Sequence, residues 1–201
     1  MVSWWALTTF LAIVFILVAA ARHSSGMAWV QATTNGKEYW VKDAAGKDDV
    51  ANRLAFLQSL LVNVADGIQR MYPADARLRA LRSRWNGTLA EVERPGDIAY
   101  SLNKRSIHVC VRSPQGTLEP VNSTIYVLLH EVAHVVTEEY GHTPQFWHNF
   151  KWLLEVSERV GVYQYQDFEV AGKGSVTHCG HPLGNNVMAC VRSKKCASAL
   201  G

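Results

Sequence analysis

The sequence predicts an α+β protein with a small mixed or antiparallel sheet and a set of amphipathic helices, preceded by an N-terminal transmembrane helix. Three observations carry this reading. Several stretches place apolar residues every three or four positions, short runs of β-branched and aromatic residues end at turn formers, and the chain opens on a long uncharged apolar run. With 48% apolar and 18% charged residues among 201, the chain can bury a core. Its formal net charge of +3 is scattered, and no basic stripe interleaved with aromatics suggests a nucleic-acid partner.

The opening run, Trp4 to Ala21, contains no charge, and Arg22 ends it. That length suffices to cross a hydrocarbon core of ~30 Å at ~1.5 Å per residue. Trp4 and Trp5 suit one interface and Arg22 the other. Residues 1–22 are therefore expected to anchor a single-pass membrane protein. The rival is a cleaved signal peptide ending at Ala19-Ala20-Ala21, which would make the chain secreted. Residues 23–27 then form a connector, 28–172 the folded domain, and 173–201 a tail that holds three of the four cysteines.

Within the domain, Asn35-Gly36 between Trp29–Thr33 and Tyr39–Val41 signals a hairpin. Asp48 or Asp49 can cap a long helix whose Val50, Leu54, Leu57, Leu61, Val64, Ile68 and Met71 form one stripe, and Pro73 ends it. A second helix is expected from Ala76 to Trp85, stopped by Asn86-Gly87. Ile107 to Val111 reads as a strand, with His108 on its exposed face. Asn122 or Ser123 caps a helix running to Glu139, with Gly141 past its end. Thr143-Pro144 then starts a helix carrying Phe146, Phe150, Leu153 and Leu154.

Chemistry concentrates in His130-Glu131-Val132-Ala133-His134. Two histidines four apart share one helix face, about one turn from each other, and can both reach a Zn²⁺ ion. A hydrolytic zinc needs a third protein ligand and an open position. His142 supplies it, because Gly141 lets the chain reverse and carry His142 back over the His130/His134 face. Glu131 lies beside the first ligand and is the candidate catalytic base, accepting a proton from the attacking water. Glu138 lies too far along a straight helix to share the metal, and His148 reads as a surface residue. Tyr163, Tyr165 and His178 are candidates to stabilise an oxyanion. Cys179, His181, Cys190 and Cys196 could form a second zinc site, disulfides or free thiols, since their spacing is irregular.

The segment LLHEVAHVVTEEYGHTPQFWHNF, with NGKEYWVK and SLNKRSIHVCVR upstream, resembles the small zinc peptidases of the WLM and SprT-like type, or minigluzincins. The similarity covers roughly Trp29 to Phe168. It differs from the metzincin pattern, which would need Gly at Thr137 and His at Tyr140. The resemblance implies a zincin-like α+β domain, zinc held by His130, His134 and His142, Glu131 as base, and the strand near Ile107–Val111 edging the cleft. An extended protein or peptide substrate could pair with that edge. Such relatives cut proteins attached to DNA, a role this sequence gives no extension to support. The expected function is therefore a membrane-anchored zinc peptidase. Its alternatives are a zinc-stabilised interaction module without turnover and a hydrolase of non-protein amides.

Overall fold

A computed structural model describes residues 4–5, 7–14, 26–170, 174–184 and 187–188. The chain is α+β with small sheets. Strands β1 (Met27–Gln31) and β2 (Glu38–Lys42) form the expected hairpin. Helices α1 (Lys47–Met71) and α2 (Ala76–Arg84) follow, then β3 (Thr88–Glu91), β4 (Ala99–Leu102) and β5 (Ser106–Val109). Helices α3 (Val121–Val136) and α4 (Pro144–Arg159) come next. Two short ladders, β6 (Glu169–Val170) with β7 (Gly174–Ser175) and β8 (Thr177–His178) with β9 (His181–Pro182), follow them.

The apolar stripes do what their spacing predicts, except at Met71, which is exposed at the end of α1. Val50, Leu54, Leu57, Leu61, Val64 and Ile68 of α1 are buried, as are Phe146, Phe150, Leu153 and Leu154 of α4. Between them α3 is buried on nearly every side, so it forms the centre of the core rather than a surface helix. Gly67 lets α1 close on the end of α4, since a Cβ there would lie 2.4 Å from Val160 Cγ1.

Helix ends differ from expectation. The cap of α1 is Gly46, in the left-handed region at φ 76°, with Asp48 and Asp49 inside the first turn. Pro120 precedes α3, and Asn122 and Ser123 lie within it: Asn122 bonds to Gln164, and Ser123 donates to the Pro120 carbonyl. The helix stops at Val136 instead of Glu139, where the Thr137 hydroxyl turns back onto the Ala133 carbonyl.

The three-stranded sheet is mixed, in the order β3-β5-β4. β5 is therefore its central strand, parallel to β3 and antiparallel to β4. This corrects the expectation that the strand near Ile107–Val111 edges the cleft: the edge is β4. His108 is likewise buried, stacked flat on Tyr100 at 4.6 Å, because both faces of the central strand are covered.

The N-terminal expectation is overturned. Among the described residues no helix is long and apolar enough to cross a membrane. The transmembrane helix, the membrane partner and the single-pass localisation are not supported. Residues 15–22 of the expected span lie outside the described residues.

Two buried polar groupings tie the sheets to the rest. The fully buried Glu91 carboxylate accepts from Arg112 Nε at 2.7 Å and Nη2 at 2.9 Å, and from the Lys42 backbone N–H at 2.7 Å. Arg112 also donates to the carbonyls of Lys42 and Ala45. Arg112→Ala would strand that carboxylate without a cation, and is expected to cost about 3–5 kcal/mol. Urea unfolding reads this directly, and a loss under about 1 kcal/mol would contradict the pairing.

The second grouping joins β8 and Cys179 to the residue after β5. Cys110 and Cys179 form a disulfide, so Cys179 is not a zinc ligand; Cys190 and Cys196 lie outside the described residues. His178, fully buried, donates from Nε2 to the Cys110 carbonyl at 2.9 Å, with Nδ1 3.2 Å from Ser123 Oγ. Burial holds the imidazoles of His178 and His108 below the ordinary 6.5, although Glu119 and the Cys110 carbonyl partly oppose this at His178. The unfolded chain then binds protons that the folded chain refuses. Stability should fall as pH drops below about 6.5, and keep falling until the folded values are passed. Denaturant midpoints taken with chelator at about pH 7.5 and about pH 5 should decrease at the lower pH; an unchanged or higher midpoint would refute it.

Candidate metal centre and its cleft

Helix α3 presents His130 and His134 on one face, and the chain between α3 and α4 brings His142 to the same place. Cations hold that connection in shape. Arg84 donates to the carbonyls of Val135 and Thr137, and Lys104 to those of Thr137 and Glu138. These are the carbonyls a helix end leaves without partners, and positive charge is favourable there. Gly141 takes φ 84°, a backbone conformation open to glycine. Thr143 caps α4 by accepting from the Phe146 N–H, with Pro144 at its first position. Asn149, buried on α4, donates to Thr137 Oγ1 at 3.0 Å and fixes the register of the two helices.

The ligand nitrogens of His130, His134 and His142 all lie within 4.8 Å of one another. His130 Nε2 and His142 Nε2 face each other at 3.0 Å. Two ligands on a tetrahedral ion at ~2.0–2.1 Å would be about 3.3 Å apart, so a small opening admits the metal. Phe146 packs under all three rings, 4.3 Å from that of His134, and Trp147 stacks on His142 at 5.4 Å. Burial and the neighbouring imidazoles lower His130 to about 3. Burial, His142 and Lys104 lower His134 to about 4. Both rings are thus neutral at ordinary pH, the form that ligates. Three imidazole nitrogen donors suit a borderline cation such as Zn²⁺. Among the described residues no other group of three His, Cys, Asp or Glu comes so close.

Glu131 is not part of this triad. Its carboxylate is buried beside it and faces β4 near Ser101. Burial raises the Glu131 carboxyl to about 7, and the nearby Ser101 opposes that rise. A carboxyl poised there can exchange a proton near neutrality. The cleft runs along β4 on either side of His130 and Glu131. One recess, of about 540 Å³, follows β4 to the turn and meets Lys104, Glu139, Tyr140 and His142. The other, of about 460 Å³, lies at the start of β4 and is mainly apolar. A larger recess of about 660 Å³ beside the disulfide is remote from the triad and contains no comparable donor set.

Comparison with other proteins adds relatives without adding an activity. The chain is 31% identical over 117 residues to an uncharacterized protein of Invertebrate iridescent virus 6, covering 52% of this chain and 64% of that one. It is 25% identical over 171 residues to an uncharacterized protein of Acanthamoeba polyphaga mimivirus, covering 81% of this chain and 86% of that one. A third, from Invertebrate iridescent virus 3, is 36% identical over 66 residues, 32% of this chain and 42% of that one. The chain thus spans less than two thirds of the first relative's length. No protein-family model matches it, and no solved structure does.

The remaining sequence candidates separate cleanly. Glu138 and His148 are exposed, and neither belongs to the triad. His178 is sequestered by Ser123 and Cys110, and Tyr163 is buried against Tyr126, so neither reaches the cleft. Tyr165 does not line it either. Three contributors escaped the sequence reading: Ser101, Lys104 and Arg84. Only the Asn103-Lys104 turn gave a signal. Both residues are left-handed (φ 52° and 58°), at the centre of the three-residue connection, 103–105, that makes β4 and β5 neighbours.

Proposed function

We propose that this protein is a zinc-dependent peptidase that hydrolyses peptide bonds in an extended segment laid along β4. The observation that carries the proposal is the convergence of three imidazoles, their ligand nitrogens within 4.8 Å of one another, with a separate buried carboxyl in one cleft. His130, His134 and His142 would hold the ion, leaving one position open to solvent and substrate. Bound zinc would supply Lewis acidity towards a carbonyl and acidify a water molecule. Glu131 takes the proton of the attacking water and returns it to the departing amine. Ser101, nearby on β4, favours the ionised form of that carboxyl. The exposed edge of β4 offers backbone groups to an extended chain, which gives affinity independent of side-chain sequence.

The likeness to minigluzincins in the HEVAH and HTPQFW segments supports the same reading. The test is digestion of a denatured protein such as casein by the purified chain. Cleavage should stop with chelator and return with zinc; a zinc-loaded protein that cleaves nothing would instead favour an interaction module.

A further inference from the structure

We infer that the apolar recess at the start of β4 selects a large apolar side chain immediately after the scissile bond. The inference rests on the peptidase reading and adds substrate preference to it. The recess, about 460 Å³, adjoins His130 and Glu131, and Ile98, Val127, Trp147 and Leu183 form its apolar walls. Opposite it, past the triad, the cleft is polar and carries Lys104 and Glu139. The two sides of the reacting centre therefore offer different chemistry to the residues flanking a bond.

The wall containing Leu183 comes from a part of the chain far from the motif, and it is firmly held. Leu183 N–H donates to the Val176 carbonyl at 2.8 Å, and Leu183 itself is only 6% exposed. Just before it, Cys179 is bonded to Cys110, its N–H donates to Glu119, and His178 is locked onto the Cys110 carbonyl. A fixed apolar wall beside a metal triad is a pre-formed pocket rather than a gap that closes by collapse. Direction follows from pairing. Antiparallel partners are the commoner kind, and a peptide running antiparallel to β4 passes the Leu102 end first and Ile98 last. Residues after the scissile bond then lie over the apolar recess.

The test uses zinc-loaded full-length protein and two hydroxamates, acetohydroxamic acid and 3-phenylpropanohydroxamic acid, titrated calorimetrically. The phenyl arm should tighten binding by at least about tenfold. Ile98→Glu, at a half-exposed wall position, and Leu183→Glu should each bring the ratio near one with zinc content unchanged. If Leu183→Glu does not fold, Ile98→Glu alone decides. In parallel, the wild-type chain digests a peptide library whose cut sites are mapped. Enrichment of Leu, Ile, Met or Phe directly after the cut supports the inference. Cleavage with no such enrichment, enrichment before the cut, or equal affinity for the two hydroxamates overturns it and leaves the peptidase standing. An arm preference without any turnover would retain the recess and sink the peptidase.

Discussion

Glu131→Gln is expected to bind zinc in the same amount as the wild-type chain while hydrolysis falls by about 10²–10⁴-fold. The carboxyl lies outside the nitrogen triad, so an isosteric amide takes nothing from the metal's donors. Among the described residues it does remove the one buried acid that lines the cleft beside them, raised to about 7 by its burial. An amide keeps the shape of the side chain but cannot take a proton from water. Metal analysis and turnover, measured on the same preparation, separate the two roles. Zinc lost from the variant would make Glu131 a ligand, and undiminished turnover would remove it from the mechanism.

His142→Ala should weaken zinc binding by at least about tenfold, since even losses beyond the ligand shell cost that much, and should abolish activity. The variant leaves His130 and His134 with two donors for an ion that needs three. His142 itself is exposed, and its ring stacks on Trp147 and meets Phe146 edge-on, so little core packing is lost with it. Unfolding midpoints measured without metal should therefore stay close to wild type. Glu138→Ala and His148→Ala, both at exposed positions, should keep the metal. Zinc content that tracked Glu138 or His148 would mean a different site.

Much of the candidate metal centre was legible because its geometry is local. Residues four apart on a helix must share a face, and Thr143-Pro144 marks the next helix start, so His130, His134 and His142 could be assembled within thirteen residues. What surrounds the centre is non-local. Ser101 meets Glu131 only because β4 pairs with β5 and lies against α3, and four-residue strands leave no alternation to read. Cys110 and Cys179 are 69 positions apart, and four cysteines allow three pairings, so their bond could not be deduced. The same distance hid Leu183 from the cleft. His108 was misplaced for a related reason: a residue's face on a strand depends on what covers it, and the central strand is covered twice. The apolar N-terminus shows the opposite failure, in which a compositional pattern satisfied a length rule that the described helix does not meet.

The most direct test of the central claim is metal content measured alongside library digestion, before and after 1,10-phenanthroline and after added zinc. About one zinc per chain is expected, with cleavage that vanishes on chelation and returns on reloading. Cleavage that survives complete removal of the metal would contradict the account, as would a stoichiometrically loaded chain that cuts no peptide.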